Sequence, residues 1–270
     1  MWRALIPAMV GSEGSSLSED TEKSTSPLLP RRPTTTVIVP AYNEEQGIGV
    51  VLEKIFRAID EGYEVIVVDD GSTDNTAAVA SRFPCRVIRH PVNRGKGEAL
   101  KTGIAHAQGE NIIWIDADDT YPAERIPDIA EALRNGADLV YASRQGGREH
   151  IPLFNRVGLA LFRFLIRNLY GFTPQDPCTG LCGVKAVHIQ RMALEARRFA
   201  IEPEIAMKAG RMRLRMMDLP IVYRPRIGRT KLSGIKAGLE DMGAILRFLF
   251  WRPPARRSLQ VSSSQRLHKL

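Results

Sequence analysis

Bulky apolar residues fall along this chain in two alternating rhythms. Short runs at Thr36-Val37-Ile38-Val39-Pro40, Glu64-Val65-Ile66-Val67-Val68, Arg86-Val87-Ile88-Arg89, Ile112-Ile113-Trp114-Ile115 and Asp138 to Ser143 read as strands. The uninterrupted ones fit strands buried on both faces, as in a parallel sheet. Between them, Ile48, Val51, Leu52, Ile55, Phe56 and Ile59 recur at helical spacing, and Gly62 ends that helix. Gly71 to Thr76 turns into a second helix with Ser or Asp as N-cap, Gly95 to Ala107 gives a third, and Ala123 to Asn135 a fourth. This alternation predicts an α/β fold, a mostly parallel doubly wound sheet with helices on both faces. Beyond Arg144 the rhythm loosens. Leu153 to Tyr170 reads as an amphipathic helix carrying Arg156, Arg163 and Arg167, and Asp176 to Val184 as turns. Ala186 to Ala196 and Pro203 to Gly210 read as helices, Met212 to Tyr223 as a strand, and Gly234 to Trp251 as a last helix.

Two strands stop abruptly in acid, at Asp69-Asp70 and at Asp116-Ala117-Asp118-Asp119. In open α/β sheets the carboxyl ends of strands face the ligand crevice. Carboxylates two apart there can share a divalent cation, although a bare pair of this kind is also common as a solvated turn.

The chain has 270 residues, 44% hydrophobic and 25% charged, ordinary globular usage that supports a sizeable core. Gly11 to about Pro33 is rich in Ser, Thr, Glu and Pro with few apolar side chains, and is expected to be a disordered arm. The predicted organisation is an arm over 1–33, a domain over 34–252, and a disordered tail over 253–270. Within the domain, the strand–helix alternation covers 34–144 and looser, more helical elements cover 145–252. A net charge of +8 suits anionic partners without choosing among them. Nucleic acid is set aside, because no reader motif or aromatic interleaving accompanies the charge. Cys85, Cys178 and Cys182 form no disulfide or zinc pattern, which suits reduced thiols in the cytosol. Met1 to Val10 is too short and too interrupted for a secretory signal, and no run approaches the roughly 18 apolar residues of a membrane span.

Four motifs in register carry a resemblance: Val39-Pro40-Ala41-Tyr42-Asn43-Glu44, Val68-Asp69-Asp70-Gly71-Ser72-Thr73-Asp74, Asn93-Arg94-Gly95-Lys96-Gly97 and Asp116-Ala117-Asp118. Together they resemble the GT-A domain of family 2 inverting glycosyltransferases, and among these the polyprenyl-phosphate (dolichol-phosphate type) hexosyltransferases, over about Thr35 to Lys231. The resemblance implies a UDP- or GDP-sugar donor, with 34–144 as the nucleotide-sugar-binding half and 145–252 as the acceptor half. Pro40 and Tyr42 would wall the base, and Glu44 and Asp70 would accept hydrogen bonds from base or ribose. Gly95 and Gly97 would admit the backbone close to phosphate, with Lys96 beside its charge. Asp116 and Asp118 would hold Mg2+ or Mn2+ against the diphosphate, Asp118 as the better direct ligand. Many dolichol-phosphate relatives carry Gln two residues after the second Asp; Thr120 stands there instead and leaves the third protein ligand open.

On the acceptor side, a polyprenyl phosphate arrives ionised and needs cations, whereas a hydroxyl needs a carboxylate base. The resemblance places Arg144 and Arg156 at the acceptor phosphate and makes Arg226 and Lys231 its late basic motif. Asp176, Glu202 and Glu204 are the candidate bases for a hydroxyl acceptor, and Asp176 serves equally as a turn residue before Pro177. Leu246 to Trp251, flanked by Arg247, Arg252, Arg256 and Arg257, suits an anionic membrane face, the core or a homodimer interface. The expectation is a peripheral enzyme meeting a polyprenyl phosphate at the cytoplasmic face of the membrane. The alternative is a transferase acting on a soluble or glycolipid hydroxyl, or on a small phosphorylated acceptor. A nucleotidyltransferase would share the sheet and acidic pair, but the expected Gly- and Arg-rich first loop is missing.

Overall fold

The computed structural model describes residues 32–147 and 174–228, with isolated positions between 156 and 168 and between 247 and 253. The arm, most of the helices expected over Leu153 to Tyr170 and Gly234 to Trp251, and the tail lie outside the described residues.

Seven strands form one sheet in the order β3-β2-β1-β4-β6-β5-β7. They are β1 (Thr35–Ala41), β2 (Tyr63–Asp69), β3 (Arg86–Arg89), β4 (Asn111–Ile115), β5 (Leu139–Gly146), β6 (Leu181–Lys185) and β7 (Met216–Val222). The first four pair in parallel, as do β5 and β7. Strand β6 runs antiparallel between β4 and β5. The turn-rich reading of Asp176 to Val184 therefore holds only for its first part. A glycine inside a strand weakens its signal, and Gly183 is required here because a Cβ would collide with Ile129 packed beneath the sheet.

Successive residues of β1 feed opposite layers, as the two-residue period requires. Val37 and Val39 pack with Ile48, Val51, Leu52 and Ile55 of α1 (Ile48–Ala58) and with Ile126, Ile129 and Leu133 of α4 (Ile126–Arg134). Ile38 packs on the other face with Ala99 and Leu100 of α3 (Lys96–His106) and with Ile201 and Ile205 of α6 (Ile201–Arg211). Thus β1, β2 and β4 are buried on both faces, which is why they read as continuous apolar runs. A short α2 (Thr76–Ala80) starts without a side-chain cap on its own N-terminal residue; Asp74 instead accepts from the Thr76 N–H at 3.0 Å. Helix α5 (Ala186–Met192) is shorter than expected, because Ala193 takes a left-handed conformation with φ 48° and turns the chain away.

Candidate active site

Strand order reverses between β1 and β4, and there the loops after both strands diverge to open a crevice. Its cavity of about 210 Å³ is lined by residues from Pro40-Ala41-Tyr42 and Glu44, by Asp70, by Gly95-Lys96, by Asp116-Ala117-Asp118, and by Arg198, Phe199 and Arg226. Pro40, Tyr42, Glu44, Asp70, Lys96, Asp116, Asp118 and Arg226 are thereby brought together. Arg198 and Phe199 were missed, because nothing in Arg197-Arg198-Phe199 marks it as more than a basic turn.

Asp116 follows directly from β4, and its N–H donates to the Gly180 carbonyl at 3.1 Å. A Cβ on Gly180 would overlap the Asp116 carboxylate. Lys96 bridges Asp116 at 2.6 Å and Glu202 at 2.5 Å. Burial works against the ammonium, but the two carboxylates outweigh it and hold Lys96 firmly protonated. Burial also raises the Asp116 carboxyl, with Lys96 opposing and Asp118 adding to the rise.

Asp118 is buried and accepts from the Thr120 hydroxyl at 2.6 Å and the Thr120 N–H at 3.1 Å. The guanidinium of Arg226 bridges Asp118 and Glu44. The chain is fixed for this by Ile227 N–H donating to the Asp118 carbonyl at 3.0 Å and Arg224 N–H to the Thr120 carbonyl at 2.9 Å. Asp119 turns away at φ 63° and pairs with Lys54 of α1 at 2.6 Å. Of the three acids in sequence, only Asp116 and Asp118 line the crevice.

Asp70 shapes the loop rather than presenting an open carboxylate. It accepts from the N–H groups of Arg94 at 2.9 Å and Gly95 at 2.7 Å and contacts His90 Nδ1 at 2.7 Å. The glycines hold a further surprise. A Cβ on Gly95, at φ 101°, would collide with the Arg197 carbonyl, and one on Gly97 would lie 2.5 Å from the Ala196 carbonyl. Protein backbone therefore fills the space on the Cβ side of both glycines, while Gly95 still lines the crevice.

A second cluster lies at the end of β5. Arg144 donates through Nε (2.5 Å) and Nη2 (2.8 Å) to the two oxygens of Asp176 and stacks 5.3 Å over Tyr223. Burial opposes its charge, while the Tyr121 and Asp176 oxygens hold it well above the ordinary range. Tyr223 meets Tyr121 edge to face at 5.3 Å. Glu204, with no exposed surface, pairs with Lys208 at 2.6 Å, away from the crevice. Arg156 occupies an exposed helical position, and Lys231 lies outside the described residues.

Asp116 and Asp118 supply hard oxygen donors at one wall of the crevice, and among the described residues no third His, Cys, Asp or Glu completes a metal cluster. That set fits a cation such as Mg2+, which commonly takes one or two carboxylates and leaves its other positions to phosphate and water. Among the described residues no helix is long and apolar enough to cross a membrane.

Comparison with known proteins places this geometry. The family model "Glycosyl transferase family 2" matches residues 36–218. A dolichyl-phosphate hexose transferase of Haloferax volcanii is 32% identical over 75% of this chain and 88% of its own length. A dolichol-phosphate mannosyltransferase of Pyrococcus furiosus is 29% identical over 84% of this chain and 67% of its own. Glucosyl-3-phosphoglycerate synthase from Mycobacterium tuberculosis, solved with Mn2+, UDP-glucose and phosphoglyceric acid, superposes with a TM-score of 0.66. It is 25% identical, with 81% of this chain and 80% of that chain covered. The seven-stranded sheet is thus a GT-A fold, and the chain belongs to glycosyltransferase family 2.

Proposed function

We propose that the protein is an inverting, divalent-metal-dependent hexosyltransferase that moves a hexose from a UDP- or GDP-sugar to a polyprenyl or dolichyl phosphate at the cytoplasmic face of the membrane. The names of the Haloferax and Pyrococcus relatives support this acceptor class. The observation that carries the reading is the state of the candidate bases: Asp176 is spent on Arg144, Glu202 on Lys96 and Glu204 on Lys208. An acceptor that is already an anion needs none of them.

The roles follow from position. Pro40, Tyr42 and Glu44 line the crevice, where the first two would wall the base and Glu44 would accept from base or ribose. Asp116 and Asp118 would hold Mg2+ or Mn2+, which neutralises charge on the departing diphosphate when bound. Lys96 fixes Asp116, Thr120 fixes Asp118, and Arg226, paired with Asp118 and Glu44, would add its charge at the diphosphate. Arg144, locked by Asp176, holds the acceptor phosphate, with Arg156 and Lys231 contributing to the same anion. One phosphate oxygen forms a bond to the anomeric carbon as the sugar–diphosphate bond breaks on the opposite face. No proton changes hands.

Incubation with UDP- and GDP-hexoses, Mg2+ and a polyprenyl phosphate should give an organic-soluble sugar product that EDTA suppresses. No such product with any donor overturns the proposal. A soluble phosphorylated acceptor is the second reading, favoured by the phosphoglyceric acid in the Mycobacterium structure. In that case the same donor panel gives a water-soluble product.

A further inference from the structure

Lys208 is an ammonium with no exposed surface, on the far side of α6 from any proposed chemistry. Its three N–H donors have three acceptors: Glu204 Oε1 at 2.6 Å, the Met192 carbonyl at 2.9 Å and the Ala193 carbonyl at 3.0 Å. The rings of Phe248 and Trp251 face it at 4.7 and 4.9 Å. Glu204 in turn accepts from the Glu195 N–H at 2.9 Å and the Ala196 N–H at 2.7 Å. The Met192 carbonyl closes α5, and the other three backbone groups belong to the segment that leaves it at Ala193. A buried ion pair contributes little stability by itself, and an apolar pair of like volume often serves as well. Its geometric effect is to hold one stretch of main chain.

That stretch continues to the crevice. The Arg197 carbonyl accepts from the Glu98 N–H at 3.1 Å, and the Ala196 and Arg197 carbonyls rest over Gly97 and Gly95 where no Cβ fits. Arg198 and Phe199 then line the cavity, and Glu202 grips Lys96.

We propose that the Lys208–Glu204 pair positions the donor site: it anchors residues 193–199 as a strap across the glycine-rich start of α3, and so sets where Arg198 and Phe199 meet the nucleotide sugar. Gly95 and Gly97 are on this account the floor of the strap. The inference rests on the reading of the crevice as the donor pocket.

The test is titration of the full-length protein with UDP and GDP in Mg2+, alongside donor kinetics. The paired variant Glu204→Leu/Lys208→Met leaves no orphan charge yet releases the strap. Gly97→Ala lifts the strap from below, and Phe248→Leu/Trp251→Leu strips the rings from the ammonium. Each should raise the nucleotide Kd and the donor KM roughly tenfold while kcat stays within about twofold, the pattern of lost ground-state binding. Combining the paired variant with Gly97→Ala should cost clearly less than the product of the separate losses, because both act through one element. Unchanged nucleotide binding in the folded variants, or fully multiplicative losses, overturns the proposal. Should the paired variant not fold, the ring variant decides by the same measurements. A wild-type protein that binds neither nucleotide sinks the donor-pocket reading instead, so the two failures are distinguishable.

Discussion

Replacing Asp176 by Asn separates a positioning carboxylate from a catalytic base. Asp176 is 2% exposed and both its oxygens serve Arg144, which also donates its main-chain N–H to Oδ2 at 3.3 Å. Asn keeps one acceptor oxygen and replaces the other with a donor facing a guanidinium. One charge-assisted bond is lost, so about 2 kcal/mol of stability should go. Full removal of a partner from a buried pair costs more, ~3–5 kcal/mol, and the retained oxygen keeps this variant below that range. Arg144 then loses its fixed orientation over Tyr223, and the KM for the phosphate acceptor should rise roughly tenfold, equivalent to about 1.4 kcal/mol. Donor KM and the shape of the pH–rate profile should not move. The assay is steady-state transfer to polyprenyl phosphate across pH at saturating donor, with chemical denaturation in parallel. If kcat collapses, acceptor KM holds and the acidic limb disappears, Asp176 is a base and the ionised-acceptor argument fails.

Three further outcomes follow from particular contacts. Gly180→Ala should force the Asp116 carboxylate out of place and weaken Mn2+-dependent donor binding about 10- to 100-fold in a folded protein; undiminished affinity would show that Asp116 is not held for the metal. Asp118→Asn should lose at least about 100-fold in transfer, whereas Asp119→Asn, whose carboxylate pairs with Lys54, should stay within about threefold and cost under ~1 kcal/mol of stability. Equal losses in the two would contradict their division of roles. Asp138, held down to about 2 against burial by Arg215 and Lys185, stabilises the fold above its unfolded pKa, and that contribution fades as pH falls from about 4 towards 2. Asp138→Asn should therefore cost ~1 kcal/mol at pH 7, discounted because Arg215 is exposed, and progressively less below pH 4 by denaturant unfolding.

The parts of this enzyme legible in sequence are those where one local signal decides the outcome. Runs such as Val65-Ile66-Val67-Val68, short and β-branched, read as strands buried on both faces, and their acidic ends mark the crevice. Strand β6 was not legible, because its five residues carry a central glycine whose reason is the Ile129 side chain on a distant helix. The strap escaped for the same kind of reason. Ala193 to Phe199 has no periodicity of its own, and its course is imposed by a charge pair on α6 and by space above α3. The glycines of Asn93-Arg94-Gly95-Lys96-Gly97 show how one motif can have a second cause that sequence does not reveal, here the Ala196 and Arg197 carbonyls packed against them. Sequence says that backbone must come close at these two positions; only packing tells whether that backbone is a ligand's neighbour or the protein's own. A motif's chemistry is therefore safest at charged side chains, whose partners are constrained by electrostatics, and weakest at glycines, which record a proximity without naming what is near.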